Sequence, residues 1–306
     1  DMASYTYPVA RPTGTLTTAQ IHLLLSNPNV IAKRAAALAD QKFIADFLLR
    51  GRFNAVGGGI FYETGEELFA ADSPEVIAPG SAYPKTVLTS GEIAAAKTDK
   101  RGMGTDISDE KISREGISYV NKGLVRLANT VIQDVDLRSM AVIASKVTSS
   151  AAASAAWTTP GSVLETLVTQ NGLRGDGTGI DLQVVVLKPA KFAKLVGILV
   201  DAGAFPREQA NIVLTGNLPF DALGYTWTTS PTYLNDNPLF LDVDQLGGMA
   251  DENLQSPEFV RSAGSQVEVS SIRAGSLDKY ELRVRRVTVP VVTEPLAGIT
   301  ITGTGL

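Results

Sequence analysis

Few side chains in this 306-residue sequence are suited to chemistry. There is no cysteine, which excludes disulfides, thiolate nucleophiles and cysteine-ligated metals. His22 is the single histidine, so a zinc site with two or three histidine ligands cannot be built within one chain. A Ser-His-Asp triad would have to use His22. That residue lies in Ala19-Gln20-Ile21-His22-Leu23-Leu24-Leu25, which predicts a short amphipathic helix, and there we read it as a surface or half-buried histidine. The 32 acidic residues leave carboxylate-pair hydrolysis formally open, but nothing selects a pair. Two glycine clusters resemble phosphate loops and fail the comparison. Gly57-Gly58-Gly59 is not followed by a helix, and Gly172, Gly175, Gly177 and Gly179 lack the Gly-Lys-Ser/Thr ending. No catalytic residue, cofactor site or metal site is expected, and the chain does not read as an enzyme.

The composition fits a folded protein of about two domains, with 44% hydrophobic and 19% charged residues. A net charge of −5 argues against nucleic-acid binding as the main task, though a locally basic segment can still face a polyanion. No apolar run reaches the roughly 18 residues of a membrane span. Residues 1–9 lack the basic-then-apolar layout of a secretory signal. The opening Asp1-Met2 reads as either an expression remnant or the trace of something removed upstream.

Residues 1–54 predict an extended arm with short helices, since Pro8, Pro12 and Gly14 break its start. Residues 30–49 read as helical, with Ile31, Ala35, Leu38, Phe43 and Leu49 as an imperfect stripe. Arg11, Lys33, Arg34, Lys42, Arg50 and Arg52 make this the most basic part of the chain. It is either a solvated helix face or an arm that docks on acidic neighbours. Residues 55–90 predict a long hairpin with strands near 60–63 and 83–88. Because an isolated hairpin is marginal in water, it needs a surface to lie against.

Residues 108–146 predict one long helix. Ser108 is placed as N-cap, with Asp109 and Glu110 in the first turn. Ile112, Val120, Leu124, Leu127, Val131, Val135 and Val142 form its apolar stripe. Gly116 and Gly123 interrupt it, and we read them as points of close packing, with a bendable helix as the alternative. Residues 149–156, nearly all Ser and Ala, read as a helix end or linker. Beyond them, a compact α/β portion occupies 157–262, with a buried strand at 183–187, a helix from Pro189 to near Gly203, and strands at 224–229 and 238–242. From Gln266 onward the pattern is β-rich.

The order of these parts resembles the major capsid proteins of tailed bacteriophages, a fold shared with encapsulin nanocompartments and the herpesvirus capsid floor. Ile107-Ser108-Asp109-Glu110 resembles the opening of that family's spine helix. Val120-Asn121-Lys122-Gly123-Leu124-Val125-Arg126-Leu127-Ala128-Asn129 resembles its continuation. Val185-Val186-Leu187-Lys188-Pro189 looks like the strand-to-helix entry of the axial domain. Tyr280-Glu281-Leu282-Arg283-Val284-Arg285-Arg286 and Val289-Pro290-Val291-Val292-Thr293-Glu294-Pro295 resemble the closing strands.

The resemblance implies an α+β tailed-phage major capsid fold. Its parts are an N-terminal arm (1–54), an extended β-hairpin loop (55–90), a peripheral domain with the long spine helix and a β-sheet (91–150), an axial α/β domain (151–262), and return strands of the peripheral domain (263–306). It further implies self-assembly into hexamers and pentamers of an icosahedral shell around double-stranded DNA, in a virion built in the bacterial cytoplasm. Portal and scaffolding proteins, and a decoration protein, are the other implied partners, with DNA touched non-specifically and no membrane. The expected inter-subunit contacts are Phe61, Tyr62, Leu68, Phe69 and Tyr83 on the hairpin and Arg11, Lys33 and Arg34 on the arm. Some of the hairpin residues could instead anchor it to its own domain. Lys85 is the single lysine of the hairpin region and lies near its base, so the family's covalent crosslink is not expected. An encapsulin-type shell that packages an enzyme is the alternative.

Overall fold

The computed structural model describes residues 16–39, 44–65, 76–77, 85–86, 91–176, 178–202, 220–261 and 266–306. The chain forms two compact units, one made of Asp1–Lys42, Lys100–Ile132 and Leu254–Arg286 and the other of the remainder. Both unit boundaries around residues 132 and 286 fall inside single long elements, the helix α5 (Ile117–Lys146) and the strand β13 (Lys279–Val292).

In the first unit, helices α1 (Thr18–Leu25) and α2 (Pro28–Ala39) bury Ile21, Leu25, Ile31 and Ala32. A capping box starts α1: the Thr17 hydroxyl accepts from Gln20 N–H, and the Gln20 side chain accepts from Thr17 N–H. Strand β12 (Glu268–Ala274) pairs antiparallel with β13 and with the short β11 (Val260–Arg261). On β13, strand β4 (Asp99–Ser108) also pairs. The alternation expected from Gln266 onward holds at the start of β13, where Tyr280, Leu282 and Val284 are buried.

The long helix departs from the expected single span. Residues 99–108 are strand, Ser108 stands at the N-cap without a side-chain cap bond, and α4 (Asp109–Glu115) ends after two turns. Gly116 has φ +65°, a left-handed conformation that no helix interior adopts, so the helix stops and restarts as α5. Close packing does not explain either glycine. A Cβ on Gly116 would meet nothing within 4 Å, and one on Gly123 would meet only Thr105 and Ile107 side chains at 3.8 and 3.9 Å. From there α5 runs 30 residues, about 45 Å. Val120, Leu124, Leu127, Val131, Val135, Met140 and Ile143 are buried along it, a stripe at helical spacing.

In the second unit lies helix α3 (Ile44–Leu48); of the expected 30–49 helix, α2 and α3 are seen, and residues 40–43 between them lie outside the described residues. Asp136, buried on α5, accepts from Ala45 N–H at 3.0 Å and so satisfies a donor at the start of α3. Strand β1 (Gly51–Asn54) pairs parallel with β10 (Gly247–Asp251), which pairs antiparallel with the end of β13. A second sheet runs β5 (Ser150–Ala152), β14 (Gly298–Thr302), β9 (Leu239–Leu241), β6 (Val184–Leu187), β8 (Tyr225–Thr229), β7 (Phe220–Ala222).

Helices α6 (Pro160–Gly175) and α7 (Pro189–Asp201) belong to the same unit, and Trp157 and Trp227 meet edge-to-face in its core at 6.3 Å. Three expectations change here. Within the Ser/Ala stretch of 149–156, Ser150–Ala152 form strand β5, held by β14, and the rest is irregular, as a linker would be. Gly172 and Gly175 sit in α6 and not in a loop. The reading of 263–306 as strands of one sheet stops at β13, because β14 pairs with β5 and β9.

Candidate assembly surface

The hairpin is a two-stranded sheet of β2 (Gly59–Thr64) and β3 (Glu92–Lys97) in antiparallel register, Phe61 opposite Ala95 and Glu63 opposite Ile93. The first strand lies where the sequence places it. The second does not: residues 85–86 are not strand, the rest of 83–88 lies outside the described residues, and β2 pairs with β3 instead. The segment Glu92-Ile93-Ala94-Ala95-Ala96-Lys97 has the alanine content of a helix and no alternation of large apolar residues. Pairing with β2 overrides that propensity.

Two faces follow from the register. On one, Ile60, Tyr62 and Ala96 pack on a cluster of Ala55, Ala250 and Val291, joined by Phe53 and Val289. On the other, Phe61 is 81% exposed and Ile93 71% exposed, with Glu63 exposed beside them. Phe61 and Tyr62, expected to act together, are therefore divided: Tyr62 anchors the hairpin to its own unit and Phe61 faces away. Leu68, Phe69 and Tyr83 lie outside the described residues.

The base of the hairpin is clamped by one carboxylate. Glu252, 9% exposed, accepts from Gly58 N–H at 3.0 Å on one oxygen and from the Thr98 hydroxyl at 2.7 Å on the other. Gly58 and Thr98 are joined by Thr98 N–H donating to Gly58 O at 3.0 Å, and Ala55 N–H donates to Asp251 O at 3.1 Å. Gly57 and Gly58, at φ +69° and +87°, make the turn into β2 that brings this N–H round to the carboxylate. Sequence reasoning passes over Glu252 and Thr98, since neither spacing nor pattern marks a lone acid after a strand.

The arm residues are placed as follows. Lys33 is exposed on α2, Arg34 follows it on the same helix, and Arg11 lies outside the described residues. The described part of the arm docks on its own unit: the Ser271 hydroxyl donates to Leu25 O at 2.7 Å, and His22 Nδ1 meets the Tyr280 hydroxyl at 3.3 Å. His22 is thus a half-buried packing residue. Beside it the Arg273 guanidinium lies 4.8 Å from the Tyr280 ring and makes a bidentate pair with Asp109 at 2.5 and 2.6 Å. Those hydrogen bonds hold the Asp109 carboxyl below the usual carboxylate range and push Arg273 up. Among the described residues there is no group of three or more His, Asp or Glu placed to hold a metal, and no helix long and apolar enough to cross a membrane.

A sequence-family model described as phage capsid protein matches residues 91–301. The chain belongs to that phage capsid protein family. The capsid protein has no significant match among curated sequences. In fold it is similar to a phage-related protein from Bordetella bronchiseptica, at TM-score 0.56 and 11% identity, covering 90% of this chain and 97% of that one. It is also similar to the capsid of cyanophage P-SCSP1u, at TM-score 0.54 and 13% identity over 83% and 86% of the two chains. A virus-like particle from Pyrococcus furiosus follows at TM-score 0.55 and 10% identity over 89% and 97%. At such identities the likeness shows the fold, and the fold is that of tailed-phage major capsid proteins. The family makes this capsid protein structural and not catalytic.

Proposed function

We propose that this capsid protein assembles with copies of itself into hexamers and pentamers of an icosahedral shell enclosing the double-stranded DNA of a tailed phage. The observation that carries this is the two-faced hairpin. One face is spent on its own unit, while Phe61 and Ile93 are left in water on the other. Apolar groups so exposed on a two-stranded sheet call for cover, and a symmetric assembly supplies it from the next copy.

In this reading residues 1–54 are the arm, the hairpin reaches a neighbouring subunit through Phe61, Leu68, Phe69 and Tyr83, and Tyr62 fixes its base. Arg11, Lys33 and Arg34 serve arm contacts. Residues 91–149 and the strands β10 to β13 are assigned to the peripheral domain, and the sheet of β5 to β9 and β14, with α6 and α7, to the axial domain. Assembly takes place in the bacterial cytoplasm with portal and scaffolding proteins, a decoration protein is an optional addition, and DNA is touched non-specifically.

Replacing residues 63–93 with a two-residue turn tests this. The expected variant is folded by circular dichroism and unable to form shells. Shells of normal yield from that variant would sink the hairpin's role. The likeness in fold to the Pyrococcus furiosus virus-like particle keeps an encapsulin-type compartment as the second reading. The contents of purified particles, DNA or an enzyme, separate the two.

A further inference from the structure

The two units carry charge of opposite sign. The first holds 16 basic and 10 acidic side chains, a net +6, and the second 11 and 22, a net −11. The overall −5 therefore hides a basic body within an acidic chain. On the sheet of the first unit the cations are spent locally. Arg261 and Arg285 pair with Glu268, Arg273 with Asp109, Lys279 with Asp106, and Arg283 with Glu281.

Lys122 and Arg126 are not spent in this way. They stand exposed one turn apart on α5, about 6 Å along the helix axis, and among the described residues neither makes an ion pair. Both line an open groove of about 380 Å³ between β4 and the start of α5. The one acid of that lining, Glu115, is already held by Lys111 at 3.1 Å. Between the two cations Gly123 carries no side chain, so the α5 wall is bare backbone there, and Thr105 adds a hydroxyl from the β4 side.

We infer that this groove is where the chain meets the phosphate backbone of duplex DNA, with Lys122 and Arg126 each neutralising a phosphate. Lysine and arginine contacts to phosphate need no shaped pocket and read no sequence, which suits an open groove with two free cations. The excess charge of the first unit gives that groove a positive surrounding field, while the acidic second unit is repelled by the same polyanion. Two charges per copy make a weak contact, and repetition over a shell adds them up. The inference deepens the reading of this protein as a DNA-enclosing shell subunit and rests on it.

The test is a titration of the unassembled full-length chain with a short fluorescent DNA duplex at several salt concentrations, read by anisotropy. Lys122→Gln with Arg126→Gln lies on exposed positions, so the melting temperature is expected to hold. Affinity at low salt is expected to fall by about tenfold or more, and the slope of log K against log salt to shrink by about 2. Lys146→Gln with Lys194→Gln removes the same net charge from exposed positions of the second unit and is expected to change both far less. Shells of the groove variant, counted by electron microscopy, are expected at the yield of the unsubstituted chain.

Unchanged affinity and slope in the groove variant would overturn the inference while leaving self-assembly intact. An equal loss in the second-unit variant would also overturn it, because the effect would then belong to net charge and not to the groove. Loss of shells in the groove variant would assign the two cations to a contact between copies, which overturns it too. Failure of the unsubstituted chain to assemble under any condition would overturn the shell reading and the inference together.

Discussion

Glu252 holds both ends of the hairpin at once, through Gly58 N–H and the Thr98 hydroxyl. A hydrogen bond to a charged group contributes about 1.5–3 kcal/mol, and removing one partner strands the others in a buried site. Glu252→Ala is expected to cost about 2–4 kcal/mol in chemical denaturation and to speed amide exchange selectively in β2 and β3. Uniform exchange across the unit would contradict the clamp. None of this is legible in the sequence, where Glu252 is one acid among 32.

The Asp109–Arg273 pair makes a pH-dependent prediction. Because the folded carboxyl titrates below its unfolded value of about 4, the pair stabilises above that pH and its contribution drains as pH falls through the folded pKa. Asp109→Asn is expected to be less stable than the parent at pH 7, with the gap closing in acid. A constant gap across pH 7 to 2 would contradict the assignment.

Elements were legible where their pattern was long and periodic. The α5 stripe as far as Val135 and the Val184–Leu187 strand followed by Pro189 are read correctly, because burial on one side imposes a repeat that the sequence must carry. Near the end of α5, by contrast, Met140 and Ile143 are buried and the expected Val142 is only half-buried. The misreadings share a cause. Gly116, β3 and β5 are decided by backbone geometry and by distant partners, and neither leaves a local pattern. Close backbone approach is similarly silent.

On β10, a Cβ at Gly248 would sit 2.2 Å from Gly51 O on β1, and β1 could pair there only by moving away. Gly248→Ala is expected to lower stability by about 1–3 kcal/mol through overpacking against backbone. Gly57→Ala meets no atom within 4 Å, so its cost is limited to the positive φ, about 1–2 kcal/mol. Thermal melts of the two variants distinguish a clash from a conformational penalty, because the clash alone should disturb the β1–β10 pairing in amide exchange.

At the scale of the whole molecule the order of parts is the legible quantity. The arm, hairpin, long helix, α/β portion and closing strands occur in the sequence in the order they take in the fold, and that order carries the resemblance to phage capsid proteins. What the order could not show is how the elements are shared. A single helix and a single strand each contribute to both units, and the final strand joins the second sheet.

The candidate surface was half legible. The sequence marks Phe61 and Tyr62 alike as apolar groups in need of cover, whereas the register that leaves Phe61 outward and turns Tyr62 inward comes only from the pairing of β2 with β3. Self-assembly is the central claim, and it is tested most directly by electron microscopy of the purified full-length chain, alone and co-expressed with a scaffold or protease. Closed shells, or rings of five and six subunits, are the predicted result, and a monodisperse monomer under all of these conditions would contradict it.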